Sequence, residues 1–511
     1  MGVRFLRSRR CGEHDDRKGH HYYTPALQAE AFVYSSDDPC GHHARRKNMT
    51  LTHWRLTSRG EQSYTAIMEW KRIILLWLLL LSSIAACSPG HLGSNEIAFL
   101  RNGRLWTIDP DGANAFAVVA DTAEVVSHGW SPNHQLLTFR TLDPNFAKTA
   151  AGKHIARDPV TGLTGDWPGT LNTISIDGGT PIPIIFSSPD VRFSAAWWSA
   201  TGSRLIYRET PTTSASVPPP GSALWWISQN DQPGGIARIL LPSTFSIPSI
   251  DTNSTMVIGN SQRGLFTTSI AGSDIHYLLQ GALVGHPLIA SLERVLWQPA
   301  HEQPAIVYAL PSTTQPDSFN ASPQVQLVLR TMQGRSITLA TCTCTQFAWS
   351  PDGNAILYST GTNYTILNIR NSDSFSFTGE NGSVPYWSPD SQFLLLDGMH
   401  TLILIDRASK GQQVLLSDTN RSTPEETVMP DASTLLQPVA NNLWASDSRH
   451  FLFLTKGRLL WQGKSLSSGH GLYTITIDNT GKVQGRPTIV DTGNDSQAGW
   501  TYEDANTSFL F

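Results

Sequence analysis

The sequence predicts an all-β protein built as a single β-propeller of four-stranded blades. The 511-residue chain is 40% hydrophobic, only 15% charged, and contains 40 Gly and 31 Pro, a composition typical of turn-rich β-structure. A short phrase, WSPDGNAILY, starts at Trp349 and recurs in weaker copies at intervals of roughly 40 to 65 residues, the spacing of propeller blades. Each complete copy is followed by two further strand patterns joined by a turn sequence of the Asp-Gly type.

The phrase combines a strand end, a tight turn and a new strand. Pro351 presets φ for the second turn position, Asp352 can accept hydrogen bonds from its own backbone, and Gly353 tolerates positive φ. The turn leads into a short apolar strand. Trp349 precedes the turn, where its large flat side chain can fill the space between two packed sheets.

Seven copies have both halves, and one half-copy follows them. The complete copies begin at Gly129, Ala196, Pro248, Trp297, Trp349, Tyr386 and Leu443, and the half-copy begins at Trp500. The residues that define the repeat are Trp130, Trp349, Asp352, Gly353, Trp387, Asp390, Trp444 and Trp500. The copy at Pro248 keeps the turn and the strand but has no Trp.

The chain ends predict how the ring closes. Three strand patterns, starting at Glu96, Arg104 and Ala115, precede the first copy, whereas the last copy at Trp500 has no strands after its second one. Joining the two ends in one blade completes an eighth blade and leaves no open sheet edge. The sequence therefore predicts eight blades, with seven as the alternative if the weak copy near Ser249 merges with a neighbour.

The stretch from Met68 to Cys87 has the three parts of an export signal. Lys71 and Arg72 precede an apolar run, and small residues precede a cysteine. The run is shorter than the roughly 20 residues of a membrane-spanning helix, although an uncleaved signal anchor is the alternative. We expect residues 1–67 to be a disordered, non-native extension ahead of a start at Met68 or, alternatively, Met49. Residues 68–86 are then the signal, 87–94 a tether and 95–511 the propeller.

Two resemblances follow from these motifs. Ile84, Ala85, Ala86 and Cys87 resemble a bacterial lipobox, which implies cleavage before Cys87, lipid on its sulfur, and attachment to the extracytoplasmic side of a membrane. The WSP phrases at Trp130, Trp349 and Trp387, with the turn sequence IDPDG, resemble the repeats of TolB-like (WD40-like, PD40) bacterial propellers. That resemblance implies a fold. It implies no partner, because the α/β domain that precedes the TolB propeller has no counterpart here.

Charge and cysteine content exclude several kinds of site. Residues 87–511 contain 24 Lys plus Arg against 33 Asp plus Glu, a formal charge of −9. This argues against nucleic acid, which requires a basic surface. Cys342 and Cys344 are the only cysteines after Cys87, and we expect two buried thiols there in preference to a redox or metal pair. The sequence predicts no metal site and no cofactor.

Unequal connections predict the binding face. The connections from strand a to b and from c to d read as tight turns. Long insertions join strand b to c at 141–170, 209–222, 311–324 and 456–470, and strand d to the next a at 418–442. In a propeller these two kinds of connection emerge on the same face, so we expect a binding site there. Drift in exposed loops is the alternative. The first insertion offers the candidate residues Lys153, His154, Arg157, Asp158, Asp166 and Trp167.

The chain has no GxSxG elbow and no other recognisable catalytic group. We therefore expect a non-catalytic, membrane-anchored monomer that acts as a scaffold or receptor for a protein or polysaccharide. The alternative is a hydrolase or lyase acting on carbohydrate or peptide, with its site on the face of the long insertions. Carboxylates converging with a His at the channel mouth would favour that alternative.

Overall fold

The computed structural model describes residues 97–500 with gaps, of which the longest are 212–223, 230–238, 281–293, 312–323 and 418–435. The predicted signal, Cys87 and the tether lie outside the described residues. None of the described helices is long and apolar enough to cross a membrane.

Eight antiparallel four-stranded blades form a β-propeller, which confirms the predicted fold class and blade number. Strands a to d run from the innermost to the outermost position. Blade 1 has Asp495–Trp500, Ile97–Arg101, Arg104–Ile108 and Phe116–Ala117; blade 2 has Val125–Trp130, Leu136–Leu142, Gly169–Ser175 and Ile182–Ile185. Blade 3 has Val191–Phe193 with Trp197–Trp198, Arg204–Pro211, Leu224–Gln229 and Ile239–Leu241; blade 4 has Ser249–Ile250, Met256–Ser261, Gly264–Ser269 and His276–Gln280.

The second half of the ring repeats this arrangement. Blade 5 has Val295–Trp297, Ile306–Pro311, Val325–Arg330 and Ser336–Cys342; blade 6 has Gln346–Trp349, Ala355–Thr360, Asn363–Asn368 and Ser374–Thr378. Blade 7 has Val384–Trp387, Phe393–Asp397, Thr401–Asp406 and Gly411–Ser417; blade 8 has Leu436–Gln437, His450–Thr455, Gly471–Ile477 and Val483–Asp491. Two short hairpins lie outside the blades, Arg157–Asp158 with Gly162–Leu163 and Leu460–Trp461 with Lys464–Ser465.

Blade 1 contains both ends of the described chain. The last strand pairs with the first, with Ile97 opposite Trp500 and Ala98 opposite Gly499. Sheet pairing thus closes the ring, as the missing first phrase predicted. The weak copy forms blade 4 by itself, where Ser249 and Ile250 pair with the following strand.

Buried apolar clusters join each blade to the next around the ring. Where a Trp precedes the a to b turn, it packs against the preceding blade, as Trp130 does against blade 1 and Trp349 against blade 5. In blade 4, Ile250 takes this place. The cluster that closes the ring combines blades 7, 8 and 1 and contains Trp444 and Trp500. The Trp that precedes the turn therefore belongs to an interface between blades and not to the centre of its own sheet.

Four of these indoles also donate a hydrogen bond to the preceding blade. The acceptor is a backbone carbonyl on strand a: Trp130 Nε1 to Gly499 O (3.2 Å), Trp297 to Ser249 (3.0 Å), Trp349 to Leu296 (3.4 Å) and Trp444 to Tyr386 (3.0 Å). Each acceptor immediately precedes the last residue of its strand. The same bond thus repeats at four of the interfaces between blades and satisfies a buried indole N–H at each of them.

The turn after each Trp has one recurring conformation. Its fourth residue donates its N–H to the carbonyl of the first, and this fourth residue has positive φ at His134, Gly202, Ser254, Gly353, Ser391 and Ser448. Only two of these six are glycine. Any residue other than glycine loses roughly 1 to 2 kcal/mol at positive φ. Backbone conformation therefore does not explain why serine stands at three of these positions.

The reason is a bond to the neighbouring turn. Ser391 Oγ accepts from Asp352 N at 2.9 Å, and Ser448 Oγ accepts from Asp390 N at 3.0 Å. Arg407 binds the Asp352 carboxylate at 2.9 Å, and Arg449 binds that of Asp390 at 2.7 Å. The turns of blades 6, 7 and 8 are therefore linked into a chain along one face of the ring.

Several connections differ from the prediction. The c to d connection of blade 3, between Gln229 and Ile239, is not a tight turn, and neither is the a to b connection of blade 5, between Trp297 and Ile306. A long d to a connection between Gln280 and Val295 was not predicted. In blade 8, strand a begins at Leu436, within the span expected to be loop, and Trp444 adds only an isolated bridge to Phe451.

The prediction of two buried thiols is wrong. Cys342 and Cys344 form a disulfide across a single intervening residue, and Cys342 is half-buried. Sequence spacing could not decide this, because pairing depends on whether the two Cα atoms, here 5.1 Å apart, come within bonding range.

Ser391 allows turn strain and inter-blade bonding to be separated. Ser391→Ala keeps the positive φ but removes the acceptor for Asp352 N, so we expect a loss of about 1 to 2 kcal/mol in unfolding free energy. Ser391→Gly also removes the acceptor but relieves the strain, so its loss should be at least about 0.5 kcal/mol smaller. Urea denaturation measures both.

Ser372 is the matched control, since it is exposed and has nearly the same φ, 59° against 60°. Ser372→Gly should raise stability by about 0.5 to 1 kcal/mol. If Ser391→Gly raised stability as much as Ser372→Gly, the bond to Asp352 would have no energetic value.

Candidate functional site

The two faces of the ring carry different connections. The a to b and c to d turns lie on one face, named here the turn face; the b to c and d to a connections lie on the other, the insertion face. On the insertion face the best described feature is the connection between Leu142 and Gly169 in blade 2.

Two short helices, Pro144–Lys148 and Ala150–Lys153, begin this connection. Asp143 caps the first, because its carboxylate accepts from the N–H groups of residues 145 and 146 at 2.9 and 2.8 Å. Thr149 caps the second through its hydroxyl, which accepts from Gly152 N at 3.0 Å. Gly152 is required, since a Cβ there would lie 2.1 Å from the carbonyl oxygen of Phe146.

Aromatic contacts hold the helices on the propeller. The rings of Phe146 and Trp167 lie 5.7 Å apart, and both pack on a small cluster formed by Val126 and Leu142 of blade 2. The guanidinium of Arg192, on the inner strand of blade 3, lies 5.9 Å from the Trp167 ring centre. Trp167 is therefore half-buried and anchors the insertion.

Asp166 connects the insertion to blade 3 by a bidentate ion pair. Arg208 Nε and Nη2 each donate to its carboxylate at 2.8 Å, and Thr210 Oγ1 donates at 2.8 Å. Beneath it, Arg140 Nη1 donates to the carbonyl of Phe193 at 2.8 Å, and burial lowers the pKa of Arg140 to about 10. The Asp166–Arg208 ion pair and the hydrogen bond of the buried Arg140 together fix the insertion in one position.

The predicted site residues divide into two groups. Lys153 and His154 are exposed at the end of the second helix, next to the exposed Lys148 of the first. Asp166 and Trp167 contact other parts of the propeller, as described above. Arg157 and Asp158 lie in the short hairpin with Gly162–Leu163, and their side chains are outside the described part of the structure.

The repeats share a polar position that no single copy of the phrase reveals. In five blades, one residue of strand b pairs with the last residue of strand a, and the residue three positions further along strand b is polar. This position holds Arg140, Arg208, Asn260, Ser359 and Asp397. All except Arg208 are buried. A polar level thus lies just below the insertion face in five of the eight blades.

A second charged cluster lies where the ring closes. Arg101, at the end of strand b in blade 1, binds Asp495 at 2.8 Å and also binds Asp491. Burial, with the neighbouring charge of Asp491, raises the pKa of Asp495 to about 7 although Arg101 opposes this shift. The Arg101 guanidinium also lies over the rings of Phe99 and Trp106, at 4.9 and 5.5 Å.

A histidine also links the inner strand of blade 2 to that of blade 1. His128 Nε2 lies 2.6 Å from the carbonyl oxygen of Gln497, whose side-chain amide donates to Val126 O at 3.0 Å. Burial lowers the pKa of His128 to about 4, so the ring is neutral near pH 7. This histidine joins two blades, and among the described residues no group of three or more His, Cys, Asp or Glu is placed to hold a metal ion.

No family model matches the chain, and no curated protein matches it. Solved structures with a similar fold include one described as a eukaryotic initiation factor, with 11% identity, covering 80% of this chain and 98% of that one, TM-score 0.45. Oligogalacturonate lyase from Vibrio parahaemolyticus has 8% identity, 57% and 79% coverage and TM-score 0.37. An oligogalacturonate lyase in complex with manganese has 11% identity, covers 76% of this chain and 98% of its own, and has a TM-score of 0.39. At these values the similarities say nothing about what this chain does.

The raised pKa of Asp495 predicts a pH dependence of stability. Between about pH 4 and pH 7 the folded protein keeps a proton that the unfolded chain has released. The stability due to this carboxyl is therefore complete below about pH 4 and is lost as the pH rises to about 7. The wild-type unfolding free energy should fall between about pH 5 and about pH 8, and Asp495→Asn should make this fall smaller by roughly 2 to 4 kcal/mol. Urea denaturation at the two pH values measures the difference.

Asp373→Asn is the control, because this aspartate pairs with Lys410 at the surface and its side chain is 56% exposed. It should leave the wild-type pH dependence intact. Equal pH dependence in wild type and Asp495→Asn would show that Asp495 ionises normally.

Proposed function

We propose that this protein is a lipid-anchored, non-catalytic propeller that binds a protein or polysaccharide on its insertion face. The proposal rests on a difference in structure between the two faces of the ring. On the turn face, polar groups of successive turns bind one another, as Ser391 does with Asp352. The insertion face instead presents an ordered, capped insertion with exposed Lys148, Lys153 and His154.

The charged clusters on the insertion face favour binding over catalysis. Asp166 is paired with Arg208 and Thr210, and Asp495 is paired with Arg101. The side chain of Asp495 has no exposed surface. Although its pKa is raised, its carboxyl group therefore cannot donate a proton to a substrate. His128 is used between two inner strands. The arrangement that would favour the hydrolase or lyase is therefore not found among these groups.

Anchoring through Cys87 would orient the propeller. Ile97 begins strand b of blade 1, which starts at the turn face and runs towards the insertion face. Cys87 lies ten residues earlier, and ten residues of fully extended chain reach at most about 35 Å. A lipid on Cys87 would therefore be attached through the turn face, an arrangement that favours presenting the insertion face away from the membrane.

Cys87→Ala tests the anchor. It removes the sulfur that would carry the lipid, so we expect protein that takes up no labelled fatty acid and moves from the membrane to the soluble fraction of the producing cell. Ser88→Ala is the neighbouring control and should stay on the membrane. Undiminished membrane retention of Cys87→Ala would contradict lipid anchoring and would leave an uncleaved signal anchor as the explanation.

Photo-cross-linking from two exposed lysines tests the binding face. A photoreactive amino acid at position 153 lies on the insertion face, and one at position 410 lies on the turn face, where Lys410 pairs with Asp373. In the intact cell envelope we expect a discrete protein or polysaccharide adduct from position 153 at several times the yield from position 410. Equal yields, or adducts only from position 410, would contradict a binding role for the insertion face.

A further inference from the structure

The Cys342–Cys344 disulfide lies on the insertion face, in the connection between blades 5 and 6. Strand d of blade 5 ends at Cys342, and the inner strand of blade 6 begins at Gln346. We propose that this is an exchangeable disulfide, which reacts reversibly with an external dithiol through the sulfur of Cys342.

The two sulfurs differ in their surroundings. Cys344 is only 4% exposed and packs in the cluster between blades 5 and 6 with Phe347 and Trp349. Cys342 is half-buried at the end of an outer strand, where it packs only against the edge of this cluster, and the intervening Thr343 is exposed. Cys342 is therefore the cysteine that a thiolate arriving from solvent approaches more readily, whereas Cys344 is protected.

Chain stability does not explain this bond. A disulfide restricts the unfolded chain more when it closes a longer loop, and this one encloses a single residue. Both sides of the connection are held without it. Cys342 pairs with Val325 in the sheet, and Thr345 donates its N–H to Ser359 O at 2.8 Å. A second contact of 2.8 Å joins the Thr345 and Ser359 hydroxyl oxygens. Opening the disulfide should therefore be a local event that leaves the blades in place.

The exchange balances with a dithiol as the reductant. One thiolate of the dithiol attacks Cys342 Sγ, a new S–S bond forms, and the Cys342–Cys344 bond breaks with its electron pair passing to Cys344 Sγ, which takes up a proton. The second thiol of the dithiol loses its proton and attacks the mixed disulfide, releasing Cys342 as a thiolate that is then protonated. The protein gains two electrons and two protons, and the dithiol becomes a disulfide.

Alkylation of the native full-length chain tests this proposal. The protein is treated with dithiothreitol without denaturant and then with N-ethylmaleimide, and the tryptic peptide 336–370, which contains both cysteines, is sequenced by mass spectrometry. We expect no label before reduction, then label at Cys342 at least about tenfold faster than at Cys344. The far-ultraviolet circular dichroism spectrum and the cooperative unfolding transition should persist after reduction.

Two single variants separate the roles of the sulfurs. Cys344→Ser leaves Cys342 alone and should label rapidly in the native protein, whereas Cys342→Ser leaves the buried Cys344 and should label only after unfolding. Label at both cysteines without reductant would overturn the proposal, because no disulfide would then exist. Resistance to dithiothreitol until denaturant is added, or loss of the unfolding transition on reduction, would show a purely structural bond.

Discussion

The structure depends on the packing of each inner-strand tryptophan against the blade before it. A four-stranded sheet buries little by itself, so each blade needs an apolar neighbour on both faces. Trp130, Trp349 and Trp444 fill these interfaces, and their indole N–H groups bond to carbonyls on the preceding inner strand. The same contact recurs around the ring, and the ring must close for the last interface to be buried. The pairing of Ile97 with Trp500 provides that closure.

This constraint explains why the two faces have developed differently. The turns after each tryptophan lie where successive blades come close, and their polar groups bind one another, as Ser448 binds Asp390. Serine at positive φ is tolerated there because its hydroxyl is an acceptor that glycine lacks. The opposite face has no such requirement, so connections of very different length are accommodated. Long insertions, the disulfide and the charged cluster around Asp495 all occur on that face.

The insertion of blade 2 shows how a long connection can be held in one position on such a ring. Its helices are fixed by caps at Asp143 and Thr149 and by the contact between Phe146 and Trp167. Asp166 ties it to the next blade through Arg208. The contacts at Asp166 and Trp167 thus hold the insertion in position, whereas Lys153 and His154 at the end of its second helix are exposed to solvent.

The sequence by itself determined the fold class, the number of blades and the way the ring closes, because these follow from a short phrase whose turn and strand patterns are local. Only the tertiary structure decided which residues of the first insertion are available. Asp166 and Trp167 look like ligand-binding residues in sequence, but their partners, Arg208 and Arg192, lie in another blade. The Cys342–Cys344 bond was decided in the same way. Side-chain pairing depends on distances across sheets and loops, which the order of residues along one chain does not contain.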